Sequence, residues 1–440
     1  MRLESKTRSV LLPVVASLAV LAAACSSSSS SSPSSSSATT AQSSGSSGVS
    51  VTPSMSSTLT SCPTSTSCFV SGNVATISGV VPGLFKGALV GTDAYLAYQN
   101  SQGGLDGRKF KLISEDDAFS CNNNKAQTQS LVGQPGVIAL TGSFSLEDNC
   151  GGQIVAAHPD FPDVSVTLDP TTAALPNVIS PQPLAQGMAT GPLMYFKQKF
   201  PTAYQHVGTL VANAGSAPAQ WVGEQAAMIH EGYKIVYQRE YGPLETDFTS
   251  DILKMEQAGV QMVVLISVDQ SLTSRFLAQA HTQGWHPQVI WGGASTYTTT
   301  IVQQAGGPSV ANGFYLEQAA ALYLGQDQSS VPEVGEFLKW VHGLYPGFVP
   351  DLFTLYGWTS AQLYVQGLKQ AGANPTSQSL LNSLKQITSF DANGLLAPAN
   401  PAGHEPASCY LLAKIVNGDF QRVDMPPSGF RCDGTYYHAS

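Results

Sequence analysis

Cysteines are the residues whose placement most constrains what chemistry this chain can do. It has seven: Cys25, Cys62, Cys68, Cys121, Cys150, Cys409 and Cys432. Cys25 directly follows Ala22-Ala23-Ala24, which closes a segment with Arg2, Lys6 and Arg8 at its start and an uncharged apolar run from Val10 to Ala24. A basic end, a short apolar run and small residues are the build of an export signal, and the run is too short to span a bilayer comfortably. The six remaining cysteines are an even number in an exported chain, which points to disulfides. Nearest-neighbour pairing gives Cys62–Cys68, Cys121–Cys150 and Cys409–Cys432; the second closes a loop worth about 3–4 kcal/mol in a chain-entropy model. Zinc would require C-x-x-C or Cys/His pairs at short spacing, and none occurs. His281 and His286 are five apart with Pro287 following, a poor metal spacing that reads as solvated surface. No metal or other cofactor is expected.

Other reactive constellations are missing as well. The sequence contains no G-x-S-x-G, H-E-x-x-H, G-x-x-x-x-G-K-[ST] or G-x-G-x-x-G, so nucleophilic, metalloprotease, phosphate-loop and dinucleotide chemistry all lack their usual signatures. The formal charge is -9, and the signal segment carries a net positive part of it, so the exported portion is more acidic still. Without a Lys/Arg cluster after the signal, neither nucleic acid nor anionic lipid is an expected partner.

Cys25 after small residues resembles the lipobox of bacterial lipoproteins, in which the cysteine becomes residue one and carries the lipid. The usual pattern prefers Leu three positions before the cysteine; here Ala22 stands there and Leu21 is one further back. From Ser26 to about Ser61 the chain is mostly Ser, Thr, Gly and Ala, with no hydrophobic period. Such a stretch cannot bury enough apolar surface to offset its chain entropy. As a flexible tether of about 36 residues it would span roughly 30–35 Å. The expected location is the extracytoplasmic face of the membrane, held by the lipid.

Beyond the tether, too many residues remain for one core and enough for two lobes. Short apolar runs alternate with helix-length stretches. Phe110–Ser114, Val137–Leu140, Val164–Thr167, Val207–Val211, Lys234–Tyr237, Met262–Ser267 and Val289–Trp291 read as strands covered on both faces. Asn122–Val132, Leu184–Phe200, Ala217–Glu231, Thr246–Ala258 and Leu272–Gln283 read as the helices between them. In Thr246–Ala258, Phe248, Ile252 and Met255 share a face, with Asp247 placed to cap the start and Gly259 the end. After Gly313–Leu316, helices dominate (Pro332–Leu344, Leu352–Ala371, Thr376–Ile387), and a β pair Cys409–Ile415 and Phe420–Val423 ends the fold. This cadence predicts an α/β chain of two Rossmann-like lobes with parallel sheets.

The motifs between these elements carry a resemblance. Ala94-Tyr95-Leu96-Ala97-Tyr98-Gln99-Asn100 runs into Gly103-Gly104-Leu105-Asp106-Gly107-Arg108; Glu115-Asp116-Asp117 ends the next strand, with Cys121 after it. Thr246-Asp247-Phe248-Thr249 with Gln257-Ala258-Gly259-Val260, and Phe390-Asp391-Ala392-Asn393-Gly394, follow in order. From about residue 73 to 425 the chain resembles the leucine/isoleucine/valine-type substrate-binding proteins of ABC transporters, a type I periplasmic-binding fold. The resemblance implies lobes joined by a three-strand hinge, near Ser180–Ala185, Ala311–Phe314 and Asn393–Pro398. It implies segments 1–24 (signal), 25–70 (anchor and tether), 71–183 and 313–395 (lobe 1), 184–312 (lobe 2) and 396–440 (return to lobe 2 and tail). It also supports the Cys121–Cys150 pair.

In relatives, the loop after the third strand offers hydroxyls and backbone N–H groups to a ligand carboxylate. Ser143, Phe144 and Ser145 occupy that loop here, and Thr167 the next contact position; a serine helix cap with Phe144 in the core is the competing reading. On lobe 2 the usual tyrosine is replaced by Asn213-Ala214-Gly215-Ser216-Ala217, and the usual acid by Gly292-Gly293-Ala294-Ser295. Ser216 and Ser295 are the polar residues those stretches leave for a ligand. Asp269 could reach an ammonium or cap the helix after it. A buried unpaired ammonium is costly, so the missing acid makes an α-amino acid a weaker expectation than the resemblance alone suggests. Trp221, Trp285, Trp340 and Trp358 read as packing, and Trp291 as packing or cleft lining. The function implied is a monomeric, non-enzymatic receptor that captures a small polar ligand (amino acid, amide or small carboxylate) and delivers it to an ABC permease. A ligand sensor signalling to a membrane partner would use the same cleft; an exported enzyme is the third reading.

Overall fold

A computed structural model describes residues 68–439 apart from positions 81, 243, 267, 425 and 427. The signal, Cys25, the tether and Cys62 with its expected pairing to Cys68 lie outside the described residues. The first lobe starts with β1 (Cys68–Ala75), α1 (Lys86–Ser101), β2 (Lys109–Asp116), α2 (Cys121–Val132), β3 (Val137–Thr141), α3 (Asp148–Ala157), β4 (Asp163–Val164) and the single turn α4 (Pro170–Ala173). Its sheet has the order β2-β1-β3-β4 and is parallel throughout. All eight residues of β1 are buried, as a strand with helices on both faces must be.

The second lobe follows with β5 (Gly187–Ala189), α5 (Thr190–Lys199), β6 (Val207–Ala212), α6 (Ala217–His230), β7 (Ile235–Tyr241), α7 (Thr249–Gln257), β8 (Met262–Leu265), α8 (Gln270–Thr282) and β9 (Val289–Gly292). Two short helices, α9 (Thr300–Gln304) and α10 (Pro308–Ala311), lead to β10 (Tyr315–Gln318). The chain then returns to lobe 1 for α11 (Pro332–Leu344), α12 (Leu352–Ala371) and α13 (Ser377–Leu384). It comes back to lobe 2 for β11 (Leu411–Val416) and β12 (Asp419–Arg422), and closes with β13 (Tyr436–His438). The large sheet has the order β12-β11-β10-β9-β8-β6-β7, parallel except where β11 and β12 join antiparallel. The fold is thus α/β with two lobes, as the cadence predicts.

The largest buried cluster runs from lobe 1 (Phe69, Tyr95, Trp358) into lobe 2 (Tyr297, Phe314, Phe420), and smaller clusters lie within each lobe. In lobe 1, α12 lies directly on α1: a Cβ at Gly91 would stand 1.9 Å from the Thr354 carbonyl oxygen, so only glycine permits this approach. Trp358, fully buried there, packs edge-on to Tyr95 and donates its Nε1–H to Glu333 Oε1 at 3.0 Å. In lobe 2, Trp291 is fully buried and stacks on Phe196 at 4.6 Å between ring centroids. It belongs to packing, not to the cleft.

Two disulfides match the nearest-neighbour expectation. Cys121–Cys150 ties the start of α2 to α3, and Cys409–Cys432 ties the segment leading into β11 to the C-terminal tail. Among the described residues, the cluster of metal-ligand type (Cys121, Glu147 and Cys150) has its two sulfurs bonded to each other, so it offers no thiolate.

Three expectations need correction. The helix expected over Leu184–Phe200 starts only at Thr190, because Gly187–Ala189 form a strand paired antiparallel with Tyr436–His438. The crossing expected at Ala311–Phe314 lies wholly on lobe 2, since β10 after it is hydrogen-bonded into the large sheet between β9 and β11. The chain crosses afterwards, where Ala321 N donates to Leu395 O (2.8 Å) and Ala397 N to Ala319 O (2.9 Å), pairing the second and third hinge segments. Finally, Asp247 does not cap α7 as its N-cap residue. Phe248 holds that position, while Asp247 accepts from Thr249 N at 2.9 Å.

Candidate functional site

Parallel strands in an open α/β sheet leave a crevice beyond their carboxyl ends. Here the ends of β1, β3 and β4 face those of β6, β8, β9 and β10, and between them lies a cavity of about 850 Å³. Both lobes and the hinge line it.

The lobe 1 wall is aromatic. Phe85, Phe144, Phe353 and Tyr356 all line the cavity. Their ring centroids lie 5.0 Å (Phe85–Phe144), 4.6 Å (Phe85–Phe353), 4.8 Å (Phe144–Phe353) and 5.7 Å (Phe144–Tyr356) apart. Phe144 is only 3 % exposed, so it serves as core and cavity wall together. Leu146 and Leu168 extend this surface. The hydroxyls expected beside Phe144 are turned inward. Ser143 Oγ accepts from Val74 N at 3.1 Å, and Ser143 N donates to Ser165 Oγ at 3.0 Å. Ser145 is buried, meets Thr76 Oγ1 at 3.2 Å and accepts from Glu147 N at 3.0 Å, as a serine at a helix entry does. Thr167 is buried without a hydrogen-bond partner for Oγ1, and the cavity is lined by its neighbour Leu168 instead.

Ser216 also lies outside the lining, in a contact between the lobes. Its Oγ donates to Asp148 Oδ1 at 2.8 Å, and its N–H to Leu146 O at 3.2 Å. Asp148 Oδ2 accepts from Leu168 N and Asp169 N, and burial pushes the carboxyl up to about 6. Gly215 makes the approach possible, since a Cβ there would lie 2.2 Å from Leu146 O. Asp269 and Ser295 do line the cavity. Both are engaged: Asp269 Oδ1 caps α8 by accepting from Ser271 N (2.8 Å) and Leu272 N (3.0 Å), and Ser295 Oγ donates to Val268 O at 2.8 Å. Of the seven expected ligand residues, the structure therefore brings Phe144, Asp269 and Ser295 to the cavity wall.

The lobe 2 wall holds groups that sequence reasoning missed. Glu317, partly buried near the end of β10, lines the cavity, as do Glu224 on α6 and Tyr436 on β13. Desolvation pushes the Glu317 carboxyl up to about 8, and the nearby Glu224 adds to the effect. Both acids in turn hold the Tyr436 phenol above its ordinary range, secondary to burial, and Tyr436 OH donates to Ala185 O at 2.8 Å. Glu317 also acts on Tyr356 across the cleft, so the acid and the aromatic wall are neighbours. Gln318, 1 % exposed, donates its Nε2 to Ala320 O and Ala321 O, which leaves Oε1 buried without a partner. The available signal was an acid directly after the apolar run Phe314-Tyr315-Leu316. The strand read from sequence stopped one residue short of it.

Residues 72–419 match the model of a family described as periplasmic binding protein. Over 308 residues the chain is 24 % identical to an amino acid binding protein of Pseudomonas aeruginosa, covering 62 % of this chain and 71 % of that one. Among solved structures it is similar to the branched-chain amino acid transporter substrate-binding protein of Streptococcus pneumoniae in complex with isoleucine. That pair has 16 % identity, 81 % and 99 % coverage and a TM-score of 0.63. It is similar as well to an ABC transporter solute-binding protein of R. palustris in complex with benzoate, with 18 % identity, 84 % and 98 % coverage and a TM-score of 0.66.

Proposed function

The chain belongs to the periplasmic binding protein family, and from that premise we propose that it captures a small solute between its lobes and delivers it to an ABC importer. It does so as a monomer, anchored through Cys25 to the extracytoplasmic face of the membrane. The observation that carries this reading is the cavity itself, which is walled by both lobes and the hinge. Such a site closes on a solute only when the lobes come together, which removes the solute from water. The Ser216–Asp148 and Ser216–Leu146 bonds are interlobe contacts of the kind that closure makes. In this reading Phe144, Asp269 and Ser295, which line the cavity, contact the solute. A receptor of this kind needs no catalytic residue.

A thermal-shift screen against amino acids, amides, ureas, amines and small carboxylates tests it. A solute that binds only the folded form raises the midpoint with concentration. The expected result is a saturable shift with one chemical class. A screen blank across all classes, together with turnover of any of these compounds, overturns the receptor reading.

A further inference from the structure

The resemblance raises the prospect of an amino-acid ligand, whose carboxylate would meet hydroxyls in the loop after β3. The cavity is differently equipped. Ser143 and Ser145 bond inward, and the surface they leave is Phe144 and Leu146. The one basic side chain of the lining is Arg275, which is exposed. Against it stand five carboxyls: Glu224, Glu245, Asp269, Glu317 and Asp351. Three of these already have work within the protein. Asp269 caps α8, Asp351 caps α12, and Glu245 pairs with Arg239 at 2.7 Å. The Glu317 carboxyl has no side-chain hydrogen bond or ion pair among the described residues, and the charge that acts on it is another acid, Glu224.

A second, independent observation points the same way. The amide oxygen of Gln318 is buried and unpartnered, and its orientation is fixed because Nε2 already donates to two carbonyls. Gln182 and Gln220, also in the lining, likewise have buried amide oxygens without partners. A buried acceptor without a donor costs about 1–3 kcal/mol, so the wall is short of donors that a ligand can supply. The aromatic rings opposite pack against one another, inclined by 36–82°, and form an apolar surface for a ligand's body.

We propose that the solute is an amphiphilic cation: an ammonium, amidinium or guanidinium group held by Glu317 among the amide oxygens of lobe 2, on an apolar body laid against Phe85, Phe144, Phe353 and Tyr356, without a carboxylate. The proposal rests on the receptor reading and narrows it to a ligand class. A carboxylate on the ligand would meet five acids, with the exposed Arg275 as the one basic side chain of the lining.

The test is isothermal titration of the full chain with three matched series on the same aromatic and branched aliphatic bodies: primary amines, the corresponding carboxylates, and the corresponding α-amino acids. Amines binding at least tenfold more tightly than both partners is the expected result. With the best amine, Glu317→Gln should weaken binding tenfold or more while the melting temperature of the free protein does not fall. Carboxylates or amino acids binding as well as the amines overturns the cation assignment and leaves the receptor reading in place. Amine binding unchanged in Glu317→Gln also overturns it, and so does the absence of heat from all three series. The receptor reading fails separately, only if the wider solute screen is blank and one of its compounds is turned over.

Discussion

The two walls of the cleft solve opposite problems with the same kind of loop. On lobe 1 the segments after β3 and β4 turn their hydroxyls into the protein and their hydrocarbon, Phe144, Leu146 and Leu168, toward the cavity. On lobe 2 the end of β10 sends a carboxyl, Glu317, to the cavity and buries an unsatisfied amide oxygen, Gln318 Oε1, beside it. The rings of the first wall pack against one another, whereas the second carries amide oxygens, on Gln318 and Gln220, that find no donor among the described residues. On the proposed reading, lobe 1 would supply shape and lobe 2 chemical selection.

The sharpest way to break this contrast is to remove the ring that serves both core and wall. Phe144→Ala deletes contacts with Phe85, Phe353 and Tyr356 at a position that is 3 % exposed. A loss of about 3–5 kcal/mol is expected from the cavity it leaves, read from the denaturant midpoint at constant slope. Phe144→Leu should recover more than half. A loss below about 1 kcal/mol would show that the ring is ligand surface only, and the lobe 1 wall would then be as incomplete as lobe 2.

The second test addresses lobe 2 through pH. Glu317 is raised from 4.5 to about 8 by desolvation and then by Glu224. The groups facing it are Glu224 on α6, Tyr356 on α12 and Tyr436 on β13. Between these two pH values the unfolded chain has lost this proton and the folded chain keeps it. Stability therefore falls as pH rises from about 4.5 to about 8, and levels off above. Water in the cavity screens the charge, so the expected contribution is on the order of 1–3 kcal/mol rather than the full linkage value. Glu317→Gln should flatten that part of the profile, gaining most at the alkaline end. A variant whose pH profile superimposes on the wild type would mean that Glu317 is solvated like a surface acid, and the contrast between the walls would lose its electrostatic half.

What the sequence made legible follows the same division. Continuous apolar runs such as Met262–Leu265 and strong helix patterns such as Pro332–Leu344 reveal the lobes, because burial on both faces dictates residue type locally. The disulfide pairs Cys121–Cys150 and Cys409–Cys432 were legible from number and proximity along the chain. Phe144 was legible as a cavity residue, but the direction of its neighbouring hydroxyls was not. Ser143 is oriented by Val74 N, which is 69 positions away. Glu317 was illegible as a site residue because its environment is assembled from α6, α12 and β13, none adjacent in sequence. The second hinge segment was misplaced for a related reason: β10 takes its position from β9 and β11 on either side, not from its own pattern.

The smallest expected effect concerns the line where the walls meet. Ser216 Oγ donates to Asp148 Oδ1 across the lobes, while Asp148 Oδ2 is held by Leu168 N and Asp169 N within lobe 1. Ser216→Ala removes the interlobe half of this arrangement and leaves the other half intact. A hydrogen bond to a charged group is worth about 1.5–3 kcal/mol at most, and part of this returns when water reaches the carboxylate in the open form. The expected cost is therefore about 1 kcal/mol in ligand affinity, or roughly fivefold, carried mainly by a faster dissociation rate. The melting temperature of the free protein should change little, because the buried hydrophobic cluster shared by the lobes is untouched by this change. Equal losses in free-state stability and in affinity would instead make Ser216–Asp148 a permanent strut, with the lobes held together whether or not a solute is present. In that case the acceptors of lobe 2 would have to be satisfied by water in the resting protein, and the division of labour between the walls would have to be argued again from the hydration of Glu317.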